Sequence, residues 1–338
     1  MYNLWSVAVM ISPGPRNLIT DVDGITVGNA HEESARSGVT VILPKNGATA
    51  SGEVRGAAPG TREMDLLDPT CMIESIDAIC LSGGSVHGLA SGEAVVSWMY
   101  DEDRGFSLGA WRLPIVPAAI INDLGMGGTK EWGDSPDYRA LARAACENAG
   151  LDFTLGNVGA GVGASAGRLK AGLGSASVVN EDGLQVAALV VTNPFGAAVM
   201  PGTGALWSWA MEQGGEMGGQ HPPCATPDLE VELSLEGRSG ENTTLAVVAT
   251  NAALNKAQLK RMAMMAHDGM ARGIRPIHTP FDGDVVFALS TEQHAAGDLG
   301  LFSHVKISDT HAVAQIGALA ADCLTRAIGR SVFEAEPL

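Results

Sequence analysis

The chain has 338 residues, 46% of them hydrophobic and 17% charged, with a formal net charge of −17. That length and composition allow one large buried core, and the acidic surface repels phosphate backbones, so nucleic acid is excluded as the expected partner. Five scattered cysteines, Cys71, Cys80, Cys146, Cys224 and Cys323, form no C-x-x-C pair; this excludes a disulfide framework or zinc knuckle and fits a reduced, cytoplasmic setting.

Residues 1–13 lack a basic start and a small-residue cleavage site, so they read as an N-terminal extension. No apolar run reaches the ~20 residues that span a bilayer, and no membrane partner is expected. "LITDVDGITVGNA" reads as a short strand pair turning at Asp23-Gly24, and "SGVTVILP" (Ser37 to Pro44) as a strand. A buried strand around Ala78 to Leu81 meets Ser82-Gly83-Gly84-Ser85, and an amphipathic helix follows to about Tyr100. "LPIVPAAIIND" is a further apolar strand, where Pro114 and Pro117 point to an edge or an irregular entry. "SPDYRALARAACENAG" is a helix with Ser135 as N-cap, Pro136 at its first position and Gly150 beyond its end.

"GNVGAGVGASAGRLKAGLGSASVV" lacks the Gly-Lys-[Ser/Thr] ending of a P-loop and reads as a tight hairpin region. Leu184 to Gly196 is a strand ending in the turn signal Asn193-Pro194. Residues 202–240, rich in Gly, Pro and Glu, read as an exposed linker. Then come the strand "TLAVVAT" and the helix "NKAQLKRMAMMAHDGMARGI", whose methionines Met262, Met264, Met265 and Met270 fill core gaps. "DGDVVFALST" is the last strand and "DTHAVAQIGALAADCLTRAIGR" the last helix. Antiparallel-looking strands with helices grouped outside predict an α+β layered sandwich over 1–338 as one domain. His31, His221, His267, His278, His304 and His311 are dispersed without H-x-x-x-H spacing, so no metal is expected.

The chemistry concentrates at "SGENTTLAVVAT", where a loose segment runs into a rigid strand. Cleavage between Asn242 and Thr243 would make Thr243 a new N-terminus. A hydroxyl nucleophile and an α-amine of pKa about 7.7–8.0 would then share one residue, the amine serving as general base. The plainer alternative is that Thr243 and Thr244 are strand-start residues.

The strings "GPRNLITDVDGITVGNA", "AAPGTREMDLL", "AICLSGGSVHGLASGEAV", "NVGAGVGASAG", "VVTNPFG", "GENTTLAVVATNAAL" and "DGDVVFALST" occur in this order. Together they resemble the self-processing L-aminopeptidase/D-amidase-esterase family, which includes β-peptidyl aminopeptidases and endo-type 6-aminohexanoate-oligomer hydrolases. The resemblance implies a four-layer α/β/β/α sandwich of the N-terminal-nucleophile-hydrolase-like, aminopeptidase/ornithine-acetyltransferase type. It implies autocleavage at Asn242–Thr243 into an α chain 1–242 and a β chain 243–338, without cofactor. It also implies a homo-oligomer of αβ units, commonly a tetramer.

Thr243 falls on the family's nucleophile position. Asn193 matches an active-site Asn whose amide can stabilise an oxyanion; read without the resemblance, it is a turn residue before Pro194. Asp282 and Asp284 match two polar positions, and alternation across Gly283 would point both carboxylates toward the Thr243 ammonium or a substrate amine. An acidic turn or a calcium loop are the competing readings, and one Asp-Gly-Asp supports calcium poorly. The nylon-oligomer hydrolases carry a Tyr at the position of Asn122 and a Lys where Arg168 aligns; Lys170 matches a Lys of the aminopeptidase branch. Asn122, Arg168, His87 and Thr244 are taken as pocket residues. His87 is the alternative general base.

The expected function is therefore hydrolysis of short peptides, amino-acid amides or β-/oligo-amides through an acyl-enzyme at Thr243. The rival readings are a 6-aminohexanoate endo-hydrolase, an ornithine-acetyltransferase-like acyltransferase, and an inactive binding or structural relative.

Overall fold

A computed structural model describes residues 10–130, 136–222, 224, 242–295 and 309–337. Among these residues two principal sheets form. The larger has seven strands in the order Ile11–Ser12, Leu173–Asn180, Gln185–Asn193, Thr243–Ala253, Val285–Ala295, Ala48–Val54 and Ser75–Ile76. The smaller has five, in the order Ile25–Glu32, Ser37–Pro44, Ile79–Ser82, Ala118–Ile120 and Thr61–Arg62. Four helices accompany them: α1 (Ala90–Asp101), α2 (Tyr138–Glu147), α3 (Lys256–Gly273) and α4 (Asp309–Phe333).

Three apolar cores set the layer order. Leu245, Val247, Leu189, Val191 and Phe287 of the large sheet meet Ile42, Ile79 and Leu81 of the small one. The alternate residues Ala246, Val248, Val190 and Val286 pack under Leu259, Met262 and Met270 of α3 and Ile316 and Leu324 of α4. On the outer face of the small sheet, Val39, Val41 and Cys80 meet Val95 and Met99 of α1 and Ala142 and Ala145 of α2. A sheet covered on both faces needs apolar residues at every position, which is why "TLAVVAT" reads as an unbroken run. The result is an α/β/β/α sandwich, as expected. Close packing accounts for part of the glycine content: a Cβ on Gly174 would stand 2.0 Å from the Ala327 carbonyl oxygen of α4.

Several local expectations are corrected. Ile19–Asp21 is a 3-10 turn, so only Ile25–Glu32 of the expected N-terminal pair is a strand. Of the two readings of the Pro-flanked segment, the irregular entry holds and the edge does not: residues 114–117 are outside any strand, and Ala118–Ile120 lies between Ile79–Ser82, with which it is parallel, and Thr61–Arg62. Thr243–Ala253 and Val285–Ala295 are also parallel, joined by the α3 crossover. Helix α2 is capped by Asp137, whose carboxylate accepts the Arg139 and Ala140 N–H groups; the expected cap, Ser135, lies outside the described residues. Ile11–Ser12, assigned to the extension, pairs with Leu173–Asn180. The expected exposed linker starts with packed structure: Trp207–Met211 is a 3-10 helix, and Leu206, Ser208 and Met217 are buried. Residues 225–240 of it lie outside the described residues.

Candidate active site

At one end of the sandwich Asn193, the last residue of its strand, lies opposite Thr243, the first of the next. Opposed residues of an antiparallel pair send their side chains to the same face. Leu245 and Val247 face the layer between the sheets, so the period of two puts Thr243 and Asn193 at the mouth of that layer. Thr244 shares the face of Ala246 and Val248, toward the helices. Its expected place as a pocket neighbour is therefore corrected: it is fully buried on the opposite face of the sheet.

The peptide joining Asn242 to Thr243 is buried and clamped. Thr243 Oγ1 donates to the Asn242 carbonyl oxygen at 2.5 Å, and the Gly283 N–H donates to the same oxygen at 2.9 Å. A Cβ on Gly283 would stand 2.6 Å from Thr243 Oγ1 and 2.6 Å from the Ala58 carbonyl oxygen. A residue without a side chain is required there. Ala58 belongs to the "AAPGTR" string, and its N–H donates to the Asp282 carbonyl at 2.9 Å.

The two aspartates are fully buried but diverge. Asp282 accepts from the Phe195 N–H at 2.9 Å, the Thr279 N–H at 2.8 Å and Thr279 Oγ1 at 2.6 Å. Asp284 accepts from the Thr244 N–H at 2.8 Å, the His278 N–H at 3.1 Å and His278 Nδ1 at 2.8 Å. The expectation that both carboxylates point the same way is corrected, because the regular strand begins only at Val285. Asp282 ties down the turn after Asn193, and Asp284 ties down the strand mouth. Burial, and then the neighbouring Asp284, push the Asp282 carboxyl above its ordinary range.

Asn193 is held from both ends of its amide: Nδ2 donates to the Asn122 carbonyl at 3.1 Å and Oδ1 accepts from the Ser165 N–H at 3.1 Å. Asn122 is half-buried, with its side-chain oxygen turned to the Leu124 N–H at 3.1 Å. Ser165 pairs with Lys170 in a two-residue-strand hairpin. The Lys170 ammonium donates to the carbonyls of Gly161, Ala164 and Ala171, and burial pushes its pKa down to about 8. Its hydrogen bonds thus brace the glycine-rich segment behind Asn193. Arg168 is exposed at the rim of a recess of about 210 Å³ shared with Ala166, Leu169, Ala197 and Met200. His87 is exposed on the Ser85–Leu89 turn, which joins the Asn122 segment through the Ser85 N–H and the Ile121 carbonyl at 2.9 Å.

The fold thus gathers Thr243, Asn193, Asn122, Asp282 and Asp284, with Lys170 one hairpin away and Arg168 and His87 further out. Sequence reasoning missed Gly283, Thr279 and Asp123. Asp123 is buried beside Asn122, accepts from Ser37 Oγ at 2.7 Å and the Gly84 N–H at 2.9 Å, and is raised in pKa by burial. It also missed His278. The histidines are dispersed in sequence, yet His267 and His278 meet edge to face with ring centroids 4.8 Å apart.

Known proteins resemble this chain in sequence and in fold. The model of peptidase family S58 matches residues 17–338. The chain is 41% identical over 333 residues to an uncharacterized aminopeptidase of Mycobacterium tuberculosis, covering 95% of each chain. It is 31% identical over 288 residues to the 6-aminohexanoate-oligomer endohydrolase of Kocuria sp., covering 83% of this chain and 77% of that one. Its structure is similar to the L-aminopeptidase D-Ala-esterase/amidase of Ochrobactrum anthropi, described as a variant of the Ntn hydrolase fold, with a TM-score of 0.68, 25% identity and coverage of 96% and 88%. With nearly its whole length matched, the chain belongs to peptidase family S58 and is a hydrolase acting on amide bonds.

Proposed function

We propose that the protein is a self-processing aminopeptidase or amidase whose nucleophile is Thr243. One observation carries the reading: Thr243 Oγ1 and the Gly283 N–H converge on the Asn242 carbonyl oxygen at 2.5 and 2.9 Å. A hydroxyl beside its own preceding carbonyl is positioned for an N-to-O acyl shift. Oγ1 attacks the Asn242 carbonyl carbon, and the negative charge that develops on the oxygen is met by the Gly283 N–H. Collapse breaks the Asn242–Thr243 C–N bond, the nitrogen takes up a proton, and an ester remains. Water hydrolyses that ester, leaving the Asn242 carboxylate and a free Thr243 α-amine.

The same residue then serves the substrate. The α-amine takes the Oγ1 proton, Oγ1 attacks the substrate amide, and the Asn193 amide N–H stabilises the oxyanion. The amine product leaves with a proton, and water releases the acyl group from Thr243. Asp282 and Asp284 hold the frame around this residue. Short peptides and amino-acid amides are the proposed substrates, with Asn122, Arg168 and His87 lining the approach. Oligo-amides of the 6-aminohexanoate type are the second reading, favoured by Thr243, by Asp282-Gly283-Asp284 and by the 31% identical endohydrolase. The proposal extends to a cytoplasmic homo-oligomer of processed units.

Intact mass is the test. Two chains, the second starting at Thr243, are expected from the purified protein, and Thr243→Ala is expected to remain one chain without amidase activity. A Thr243→Ala variant that is cut and active would overturn the assignment. Turnover of α- and β-amino-acid amides against 6-aminohexanoate oligomers then separates the two substrate readings.

A further inference from the structure

We propose that His278 is a positioning residue of this site, holding the Asp284 carboxylate that anchors the mouth of the nucleophile strand. The inference rests on the reading of Thr243 as nucleophile. The parallel ladder between Thr243–Ala253 and Val285–Ala295 begins at Leu245 opposite Val285. One residue earlier the Thr244 N–H meets Asp284 Oδ1 at 2.8 Å. A side-chain oxygen thus supplies the rung next to Thr243, and any swing of that carboxylate moves the nucleophile's own backbone.

His278 holds the carboxylate's other oxygen. Asp284 Oδ2 accepts from the His278 N–H at 3.1 Å and from ring Nδ1 at 2.8 Å. A carboxylate only accepts, so Nδ1 carries the proton and defines the tautomer. The backbone of His278 stands at φ 57, in the left-handed region that few non-glycine residues adopt. Such conformations persist where the surroundings over-determine them, and they cluster at functional sites. Here they turn both donors of one residue onto one oxygen.

The ring is backed by a second histidine. His267 lies edge to face with it at 4.8 Å between centroids, and its Nε2 donates to the Glu53 carbonyl at 3.1 Å. Glu53 is in turn pinned by Lys260 at 2.6 Å. Among the described residues, His278 Nε2 and His267 Nδ1, both buried, have no hydrogen-bond partner. Among the described residues, the hydrogen bond of the His278 ring therefore goes to Asp284 alone.

The test compares His278→Gly with His278→Asn. Both tolerate φ > 0, but only Asn brings a side-chain N–H near the position of Nδ1. His278→Gly is expected to slow self-cleavage and kcat by about tenfold to a hundredfold, the scale of a misplaced nucleophile, with KM little changed. His278→Asn is expected to recover most of that loss. Full activity in His278→Gly, or an Asn variant as impaired as the Gly variant, overturns the proposal. If His278→Gly fails to fold, the ¹⁵N-histidine spectrum of the unaltered protein decides, with the His278 signal assigned by its absence in His278→Asn. A protonated Nδ1 with a bare Nε2 is expected, and the opposite tautomer overturns the proposal. Cleavage and activity persisting in Thr243→Ala would instead sink the underlying nucleophile reading, so the two failures are distinguishable.

Discussion

Arg326 offers a direct measure of what would hold the two chains together after a cut at residue 242. Its side chain is 2% exposed, and its Nε and Nη2 meet Glu216 Oε1 at 2.6 Å and Oε2 at 2.9 Å. Nη2 also donates to Asn17 Oδ1 at 2.8 Å and Nη1 to the Ser177 carbonyl at 2.9 Å. Every one of these partners precedes residue 242, while Arg326 follows it. Burial alone would raise the Glu216 carboxyl, but the hydrogen bonds and charge of Arg326 outweigh it and hold the pKa below the ordinary value. Arg326→Met leaves that carboxylate buried, with the Arg330 Nε 3.9 Å away. Breaking one partner of a buried pair costs about 3–5 kcal/mol. At a few degrees per kcal/mol, that lowers the unfolding midpoint by roughly 10 °C. Thermal and urea unfolding of Arg326→Met, Glu216→Gln and the double variant would measure this, with a coupling of about 2 kcal/mol or more expected. Single variants within about 1 kcal/mol of the parent, or strictly additive losses, would refute the clasp.

Gly283→Ala tests the clamp on the Asn242 carbonyl. The backbone of Gly283 is outside the left-handed region, so the variant isolates the added methyl, 2.6 Å from Thr243 Oγ1. Self-cleavage is expected to slow at least about tenfold by gel densitometry, on the scale of a displaced nucleophile; cleavage at the parent rate would remove Gly283 from the argument. His267 supplies the pH dependence. Burial pushes its pKa from 6.5 to about 3, so the folded protein keeps it neutral while the unfolded chain protonates. The unfolded state therefore binds more protons between those values. Stability is lost as pH falls through that window, by about 2 kcal/mol at pH 5. Urea unfolding at pH 7 and 5 should show this loss shrinking in His267→Gln, and an unchanged loss would assign it elsewhere.

A layered sandwich with helices outside was legible in the sequence because its signals are local, while the four-layer order came with the family resemblance. Runs such as Leu245–Ala249 announce strands buried on both faces, and the Lys256–Gly273 helix follows a capping box, Asn255 with Gln258. Misreadings arose where distant partners decide. The prolines before Ala118 suggested an edge or an irregular entry; the entry is irregular, but the two-residue strand Thr61–Arg62 takes the edge. Nothing local marks Asp137 rather than Ser135 as a cap, since both are good caps. In the site, Thr243 and Asn193 were visible through their strings. His278 was not, because its meaning comes from Asp284 and from His267 on α3.

The two threonines illustrate what three dimensions add. In sequence Thr243 and Thr244 are equivalent strand formers. The pleat separates them, sending one to the layer between the sheets and the other toward the helices. Thr243 also opens the central strand of the seven, flanked by Gln185–Asn193 on one side and Val285–Ala295 on the other. A strand held on both edges keeps most of its ladder when one peptide at its end is broken, because the pairs from Thr244 onward with Gln185–Asn193 and from Leu245 onward with Val285–Ala295 lie beyond that peptide. The Asn242 carbonyl oxygen accepts from the Gly283 N–H at 2.9 Å and from Thr243 Oγ1 at 2.5 Å. Cleavage there would release an end while the rest of the platform stays paired, which is the condition an N-terminal nucleophile must meet to remain in register with Asn193.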